Sequence, residues 1–167
     1  AVGKAAQDST AREQFVLGRG WDQNRFSPPN FPDRAALKML DQASAGHPVW
    51  LRRIDGHAGW ANTAALALAG INGKTAEVSG GRILRDERGE PTGVLVDNAM
   101  DLVERVLPRP SGKDLEAAII RGAGYVVARG LTSVHEMGLG MDAVAAYRRL
   151  AEQGWLPLRV YAYAEDP

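Results

Sequence analysis

Four short apolar segments alternate with helical segments, and this alternation constrains the fold more than any other feature of the sequence. The apolar segments are FVLGRG, PVWLRRID, LTSVHEM and LRVYAYA. Strands that alternate with helices are typical of parallel βαβ units, so we predict an α/β fold. A closed (β/α)8 barrel needs eight strands and about 250 residues. The four strands of this 167-residue chain therefore indicate either a small open α/β domain or part of something larger.

A segment of different character interrupts the alternation. RILRD and TGVLV flank ERGEP, which has the composition of a turn, so we predict a β-hairpin. A helix, NAMDLVERVL, follows and ends at Pro108. We interpret about 72–112 as an insertion within one domain that spans 1–167.

Three local predictions concern helix ends and turns. Asp33 is expected to cap the helix RAALKMLDQA, and either Asn62 or Thr63 to cap AALALAG, with Trp60 packing at the start of that second helix. A loose capping box is expected to begin at Ser111. His47 precedes a proline in a turn, and we expect it to be exposed.

The overall composition excludes several classes of protein. Twenty basic and twenty acidic residues give no net charge, so neither nucleic acid nor an anionic membrane is an expected partner. No apolar run is long enough to span a bilayer, and we expect a soluble chain, with the cytoplasm favoured. The chain has no cysteine, which excludes disulfides and thiolate chemistry and leaves the redox compartment open.

Polar and aromatic side chains follow three of the predicted strands, where α/β proteins bind ligands. Six residues are therefore candidates for a substrate-binding site: Trp21, Asp22, Asp55, His57, His135 and Glu136. The competing interpretation is that Asp55 and His57 only form hydrogen bonds within a loop. His135 and Glu136 are adjacent in a strand, so they are expected on opposite faces.

Other kinds of catalytic site find no support. The chain contains no G-x-S-x-G motif, and its glycine-rich segments lack the spacing of a phosphate-binding loop. Asp55, His57, His135 and Glu136 are residue types that zinc accepts, so a metal site built within this chain is one hypothesis. Only composition joins these two pairs.

Several segments, in order, resemble the amidohydrolase superfamily, and specifically metal-dependent hydrolases of the amidohydrolase-3 type such as N-substituted formamide deformylase. They are GRGWDQNRF, LDQASAGHPVWLRRIDGHAGWANTAALALAGI, GGRILRDERGEPTGVLVDNAMDLVERVLP and GLTSVHEMG. The resemblance implies a TIM-like barrel and a divalent metal, usually zinc. It also implies a metal-activated water that hydrolyses a non-peptide carbon–nitrogen bond of a small amide-type substrate.

The same resemblance implies that this chain is an internal segment. The family's His-x-His metal pair belongs upstream of these residues, and its metal-bridging lysine, later histidines and final aspartate belong downstream. We therefore expect no metal ligand and no catalytic residue here, a substrate-binding role for the six candidates, and no activity of the isolated chain. The alternative is a non-enzymatic α/β module that binds a partner or self-associates through unpaired strand edges.

Overall fold

The computed structural model describes residues 1–8, 15–110 and 112–164. The chain divides into two compact units, with the boundary between Pro108 and Arg109. Ser111, at which the predicted capping box begins, lies outside the described residues. Within these residues, no helix is both long enough and apolar enough to cross a membrane.

The first unit contains a mixed five-stranded sheet flanked by helices. Its elements are α1 (Val2–Asp8), β1 (Val16–Trp21), α2 (Arg34–Ala43), β2 (Val49–Arg53), β3 (Ala58–Ala61), α3 (Thr63–Leu68), β4 (Gly81–Arg85), β5 (Pro91–Asp97) and α4 (Asp101–Glu104). The strands lie in the order β1-β2-β3-β5-β4. β1 and β2 are parallel and are connected through α2, whereas the other neighbours are antiparallel. The predicted βαβ unit is thus confirmed here.

The short strand β3 was not predicted. Its sequence, Ala-Gly-Trp-Ala, lacks the alternation of apolar and polar residues that marks a half-buried strand. It forms because β2 folds back through a tight turn, and because Gly59 leaves room for the buried ring of Trp50. Placing Trp60 at the start of a helix was therefore wrong, since this residue lies within β3. The helix begins at Thr63 and is capped by Asn62, the first of the two predicted alternatives.

The predicted hairpin is confirmed as β4 and β5, but it does not form a separate structure. β5 pairs with β3, so the hairpin extends the same sheet. The helix after it is shorter than predicted, with a 3-10 turn at Asn98–Met100 followed by one turn of α4. Burial of Leu95 and Val103 in one cluster with Trp50 joins this segment to the core of the unit.

His47 is buried, with 5% of its surface exposed, so the prediction of an exposed turn residue was wrong. Turn residues usually face solvent, but this turn is tied inward by a buried polar network. The side-chain Nδ2 of Asn62 donates hydrogen bonds to the His47 carbonyl and to the Ser44 hydroxyl, at 2.9 and 3.1 Å. Both Ser44 and Asn62 are only 1% exposed.

The second unit is a βαβ arrangement preceded by a long helix. Its elements are α5 (Gly112–Val127), β6 (Ser133–Leu139), α6 (Met141–Glu152) and β7 (Arg159–Ala164). β6 and β7 are parallel, as the sequence predicts. Ile119 of α5 packs with Ala146 and Leu150 of α6. The chain is therefore a mixed α/β protein in both units.

Candidate functional site

The carboxyl ends of β1 and β2 bring four of the six candidate residues to one edge of the first sheet. Trp21, the last residue of β1, pairs with Arg53, the last residue of β2. The N–H of Ile54 donates to the carbonyl of Trp21 at 3.0 Å, which holds the two strand ends together. Asp22 follows Trp21, and Asp55 and His57 lie in the turn between β2 and β3. This edge has the position where α/β folds bind ligands.

Arg53, which was not a candidate, organises this edge. Its guanidinium donates hydrogen bonds to both carboxylate oxygens of Asp55, with 2.7 Å between Arg53 Nε and Asp55 Oδ1. It also reaches Gln23 Oε1 at 3.3 Å and lies 5.5 Å from the ring centre of Phe31. The pKa of Arg53 is raised, first by the hydrogen bonds to Asp55, against a lowering by desolvation, and further by the charges of Asp55, Asp22 and Asp97.

Asp55 builds the turn through its carboxylate. The hydrogen bonds from Arg53 hold the pKa of Asp55 well below its usual range, and the backbone N–H of His57 lowers it further by donating to Oδ1 at 3.1 Å. Both oxygens of Asp55 therefore already accept hydrogen bonds. These contacts of Asp55 are the ones that the loop-capping interpretation predicts. The imidazole of His57, in contrast, faces outward from the turn.

His57 forms a two-point contact with Asp97 at the end of β5. His57 Nδ1 lies 2.9 Å from Asp97 Oδ1, and the N–H of Asp97 donates to the carbonyl of His57 at 3.0 Å. The side chains are 73% and 48% exposed. Asp97 was not predicted as a site residue. It directly follows the predicted strand TGVLV, but only the pairing of β5 with the unpredicted β3 brings it to His57.

Asp97 adopts a backbone conformation that is unusual for a residue with a side chain, with φ +48° and ψ −128°. Such conformations cost about 1–3 kcal/mol, whereas an exposed contact between a histidine and a carboxylate returns at most about 1 kcal/mol, even when both groups are charged. The contact with His57 therefore does not stabilise the fold by more than the strain at Asp97 destabilises it. Strained residues of this kind cluster at functional sites.

Aromatic rings form one wall of the same edge. The centre of the Trp21 ring lies 6.2–6.3 Å from those of Phe26, Phe31 and Trp60. Trp21 Nε1 donates to the carbonyl of Leu51 at 2.8 Å, which fixes the orientation of its indole. Asp22 caps the 3-10 turn Gln23–Arg25 by accepting from the N–H of Asn24. The wall combines apolar rings with the charges around Arg53.

His135 and Glu136 lie in the second unit, with alternating exposure along β6. His135 is exposed; its ring stacks on Tyr161 and Tyr163 at 4.9 and 5.8 Å, and its Nδ1 lies 3.2 Å from the Tyr163 hydroxyl. Glu136 is half-buried, and its charge adds to the desolvation that raises the pKa of Tyr147 in α6. An open, mostly apolar groove of about 450 Å³ lies between α5, α6 and the two strands.

A metal site within this chain finds no support. Among residues 1–8, 15–110 and 112–164, no group of three or more His, Cys, Asp or Glu side chains could hold a metal ion. Asp55 is engaged by Arg53, and His57 by Asp97. The described side chains thus do not fit a metal centre of their own, and the hypothesis that Asp55, His57, His135 and Glu136 form one is set aside.

Comparison with known proteins shows the family to which this chain belongs. The model of the amidohydrolase family matches residues 1–166, and the chain belongs to that family.

Individual relatives agree with this assignment. The chain is 37% identical over 164 residues to the protein LONG AFTER FAR-RED 3 of Arabidopsis thaliana, covering 98% of this chain and 27% of that protein. It is 34% identical over 149 residues to N-substituted formamide deformylase of Arthrobacter pascens, covering 86% of this chain and 27% of that enzyme. The chain thus spans less than a third of the length of these relatives.

A solved structure supports the fold. An uncharacterised metal-dependent hydrolase from Pyrococcus horikoshii OT3 superposes with a TM-score of 0.61 at 24% identity, covering 98% of this chain and 30% of that one. At this level of identity the similarity concerns the fold alone.

Proposed function

We propose that this chain is the part of a metal-dependent amidohydrolase that binds and orients the substrate. The whole enzyme hydrolyses an amide or related non-peptide carbon–nitrogen bond of a small molecule, using water activated by a divalent metal, with zinc the expected ion. The observation that carries the proposal is the family match over 1–166, combined with the gathering of Trp21, Asp22, Asp55 and His57 at one sheet edge.

The proposed division of labour follows from the side chains present. The aromatic wall around Trp21 offers apolar contact to a substrate, and the imidazole of His57 offers a polar contact. Asp55 and Arg53 hold the turn that carries His57. His135 is a further candidate for contact with substrate from the exposed face of β6, and Glu136 a weaker one because it is half-buried. The metal ligands, on this proposal, come from residues other than these 167.

We also propose a more specific fold than the mixed α/β class. We propose that the parallel pairs β1–β2 and β6–β7 are strands of a TIM-like barrel, and that 1–167 is a partial barrel domain with about 72–112 as its insertion. In such barrels the carboxyl ends of the strands carry the site. The position of Trp21 and His57 beyond β1 and β2 supports this arrangement.

The test compares a full-length enzyme that contains this segment with the isolated chain. Purified full-length protein is assayed against a panel of N-substituted formamides and other small amides, before and after removal of metal by a chelator and after zinc is restored. The proposal expects activity that chelation abolishes and zinc restores. If the metal-loaded protein hydrolysed none of the amides in the panel, the proposal would be refuted.

The isolated chain supplies a second measurement. Its metal content is determined by elemental analysis after dialysis, beside a variant in which His57 and His135 are both changed to alanine. The proposal expects no activity and no stoichiometric metal in either preparation. Stoichiometric metal that is lost in the double variant would show that the chain carries its own site.

The exposed face of the second unit favours a second candidate function, a module that self-associates. Met137, Tyr161 and Tyr163 are 67%, 54% and 45% exposed on the two-stranded sheet. Unpaired strand edges favour pairing with another chain. Light scattering on the purified chain tests this candidate: a dimer at micromolar concentration supports it, and a monomer over the accessible concentration range contradicts it.

A further inference from the structure

The contact between His57 and Asp97 determines how the imidazole presents its second nitrogen. An ionised carboxylate can only accept hydrogen bonds. At 2.9 Å from Asp97 Oδ1, His57 Nδ1 must therefore carry the proton of this bond. The neutral ring is then the Nδ1–H tautomer, whose Nε2 is left with a lone pair. With 73% of the side chain exposed, this acceptor is accessible from solvent.

The fold holds Asp97 in place from both sides of β5. Its N–H is bonded to the carbonyl of His57 in one direction, and it pairs with Gly81 of β4 in the other. A Cβ added at Gly81 would overlap the backbone of Ala99, so β4 can approach this corner only with glycine there. The next residue, Asn98, donates to the carbonyls of Gly80 and Ser79 at 3.3 and 2.9 Å. The unusual φ of Asp97 is thus imposed by its surroundings.

The charged side chains nearest to this contact, Arg53 and Asp55, have other hydrogen-bond partners. Arg53, the cation of the turn, donates to both oxygens of Asp55. Asp55 in turn accepts from the backbone of His57 rather than from its ring. The backbone and the ring of His57 therefore have separate carboxylate partners, Asp55 and Asp97, which together restrict both the position and the rotation of the imidazole.

We infer that Asp97 is a positioning residue that fixes His57 as a hydrogen-bond acceptor for an N–H group of the substrate. This inference rests on the proposed function and narrows its substrate class to amides that carry an N–H beside the carbonyl. An N,N-disubstituted amide has no such donor and would leave Nε2 without its partner. A hydrogen bond from one ring nitrogen to a carboxylate fixes the tautomer and the ring orientation of a histidine, and so determines what its second nitrogen can do.

The first test reads the tautomer directly and does not depend on activity. The purified 1–167 chain is labelled with ¹⁵N-histidine, and the ring nitrogens of His57 are observed by NMR at about pH 9, where imidazoles are neutral. We expect protonated Nδ1 and unprotonated Nε2. Asp97→Gly removes the carboxylate and accepts the positive φ, so it should fold and show mixed tautomers at His57. His135 provides an internal reference.

The result that would overturn the inference is an unchanged His57 tautomer in Asp97→Gly. Asp97→Asn provides a second, nearly isosteric variant, whose amide can donate to Nδ1 and should shift the ring toward the Nε2–H form. Glu87→Gln is the matched control, since Glu87 is an exposed carboxylate of the hairpin turn, and the spectrum of His57 should not change.

The second test compares substrates in the full-length enzyme. For an amide with an N–H, Asp97→Gly should lower kcat/KM by about tenfold, the effect of one hydrogen bond, and should leave kcat/KM for the N,N-disubstituted counterpart nearly unchanged. Equal losses for both amides would refute the substrate assignment. If the wild-type enzyme hydrolyses no amide, the proposed function fails, while the tautomer measurement still decides whether Asp97 positions His57.

Discussion

Changing Asn62 to alanine should destabilise the first unit far more than the loss of an ordinary helix cap. The side chain is 1% exposed and takes part in four hydrogen bonds. Its Oδ1 accepts from the backbone N–H groups of Ala65 and Val49 at 3.0 and 2.9 Å. Its Nδ2 donates to the carbonyl of His47 and the hydroxyl of Ser44. One side chain therefore caps α3 and ties it to the turn before β2.

The expected loss can be estimated from these contacts. Removing an N-cap costs about 1 kcal/mol, and each buried group left without a partner costs about 1–3 kcal/mol. The N–H of Val49 would be left in this state, so we expect a loss of about 2–4 kcal/mol. Domains of ordinary stability unfold with about 5–15 kcal/mol, so a large part of the stability depends on Asn62.

The assay is urea unfolding of the purified chain, followed by circular dichroism, with Asp33→Ala as the matched control. Asp33 is exposed and caps α2 through a single hydrogen bond, which its Oδ1 accepts from the N–H of Ala36 at 2.9 Å. Its loss should cost only about 1 kcal/mol. If Asn62→Ala cost no more than Asp33→Ala, the argument that the buried network ties the turn inward would be refuted.

Three further predictions follow from other parts of the chain. Gly59→Ala would place a methyl group against the buried ring of Trp50 and should lower the free energy of unfolding, measured in urea, by at least about 1–3 kcal/mol. Gly124 of α5 faces open space, so Gly124→Ala should raise the free energy of unfolding by about 0.5–1 kcal/mol. Similar effects of the two changes would contradict the packing of Gly59 against Trp50. The lowered pKa of Asp55 adds stability that is present above the unfolded pKa of about 3.9 and is lost as the pH falls through the lower pKa of the folded state. Asp55→Asn should therefore make the free energy of unfolding depend less on pH below about pH 4. The control Glu87→Gln should leave this pH dependence unchanged. On the proposed function, Trp21→Ala in the full-length protein should raise KM for an apolar amide by about tenfold with little change in kcat, because one wall of the proposed site is lost. An unchanged KM, as expected for the exposed control Met39→Ala, would remove Trp21 from the proposed site.

Part of the candidate site could be predicted because its residues follow strands that the sequence marks clearly. Trp21–Asp22 and Asp55–His57 come directly after FVLGRG and PVWLRRID, and parallel strands carry their ends to one edge. Arg53 and Asp97 could not be predicted in the same way. Arg53 is one of two adjacent arginines, and only the structure shows that Arg52 pairs with Glu104 while Arg53 pairs with Asp55.

The sequence by itself determined the elements whose signals are local. Apolar periodicity indicated the strands β1, β2, β6 and β7, turn composition indicated the hairpin of β4 and β5, and short polar side chains indicated the caps at Asp33 and Asn62. Each of these signals depends on residues within a few positions of one another, so no distant partner is needed to read them.

The tertiary structure alone decided the features that depend on residues distant in sequence. β3 is too short and too poor in alternating residues to signal a strand, and it exists because β2 lies on one side and β5 on the other. That pairing brings Asp97 to His57 across forty residues of chain. The burial of His47 likewise follows from the hydrogen bond that Asn62, fifteen residues away, donates to its carbonyl. In both cases a contact made on folding, rather than a local preference, sets the environment of the histidine.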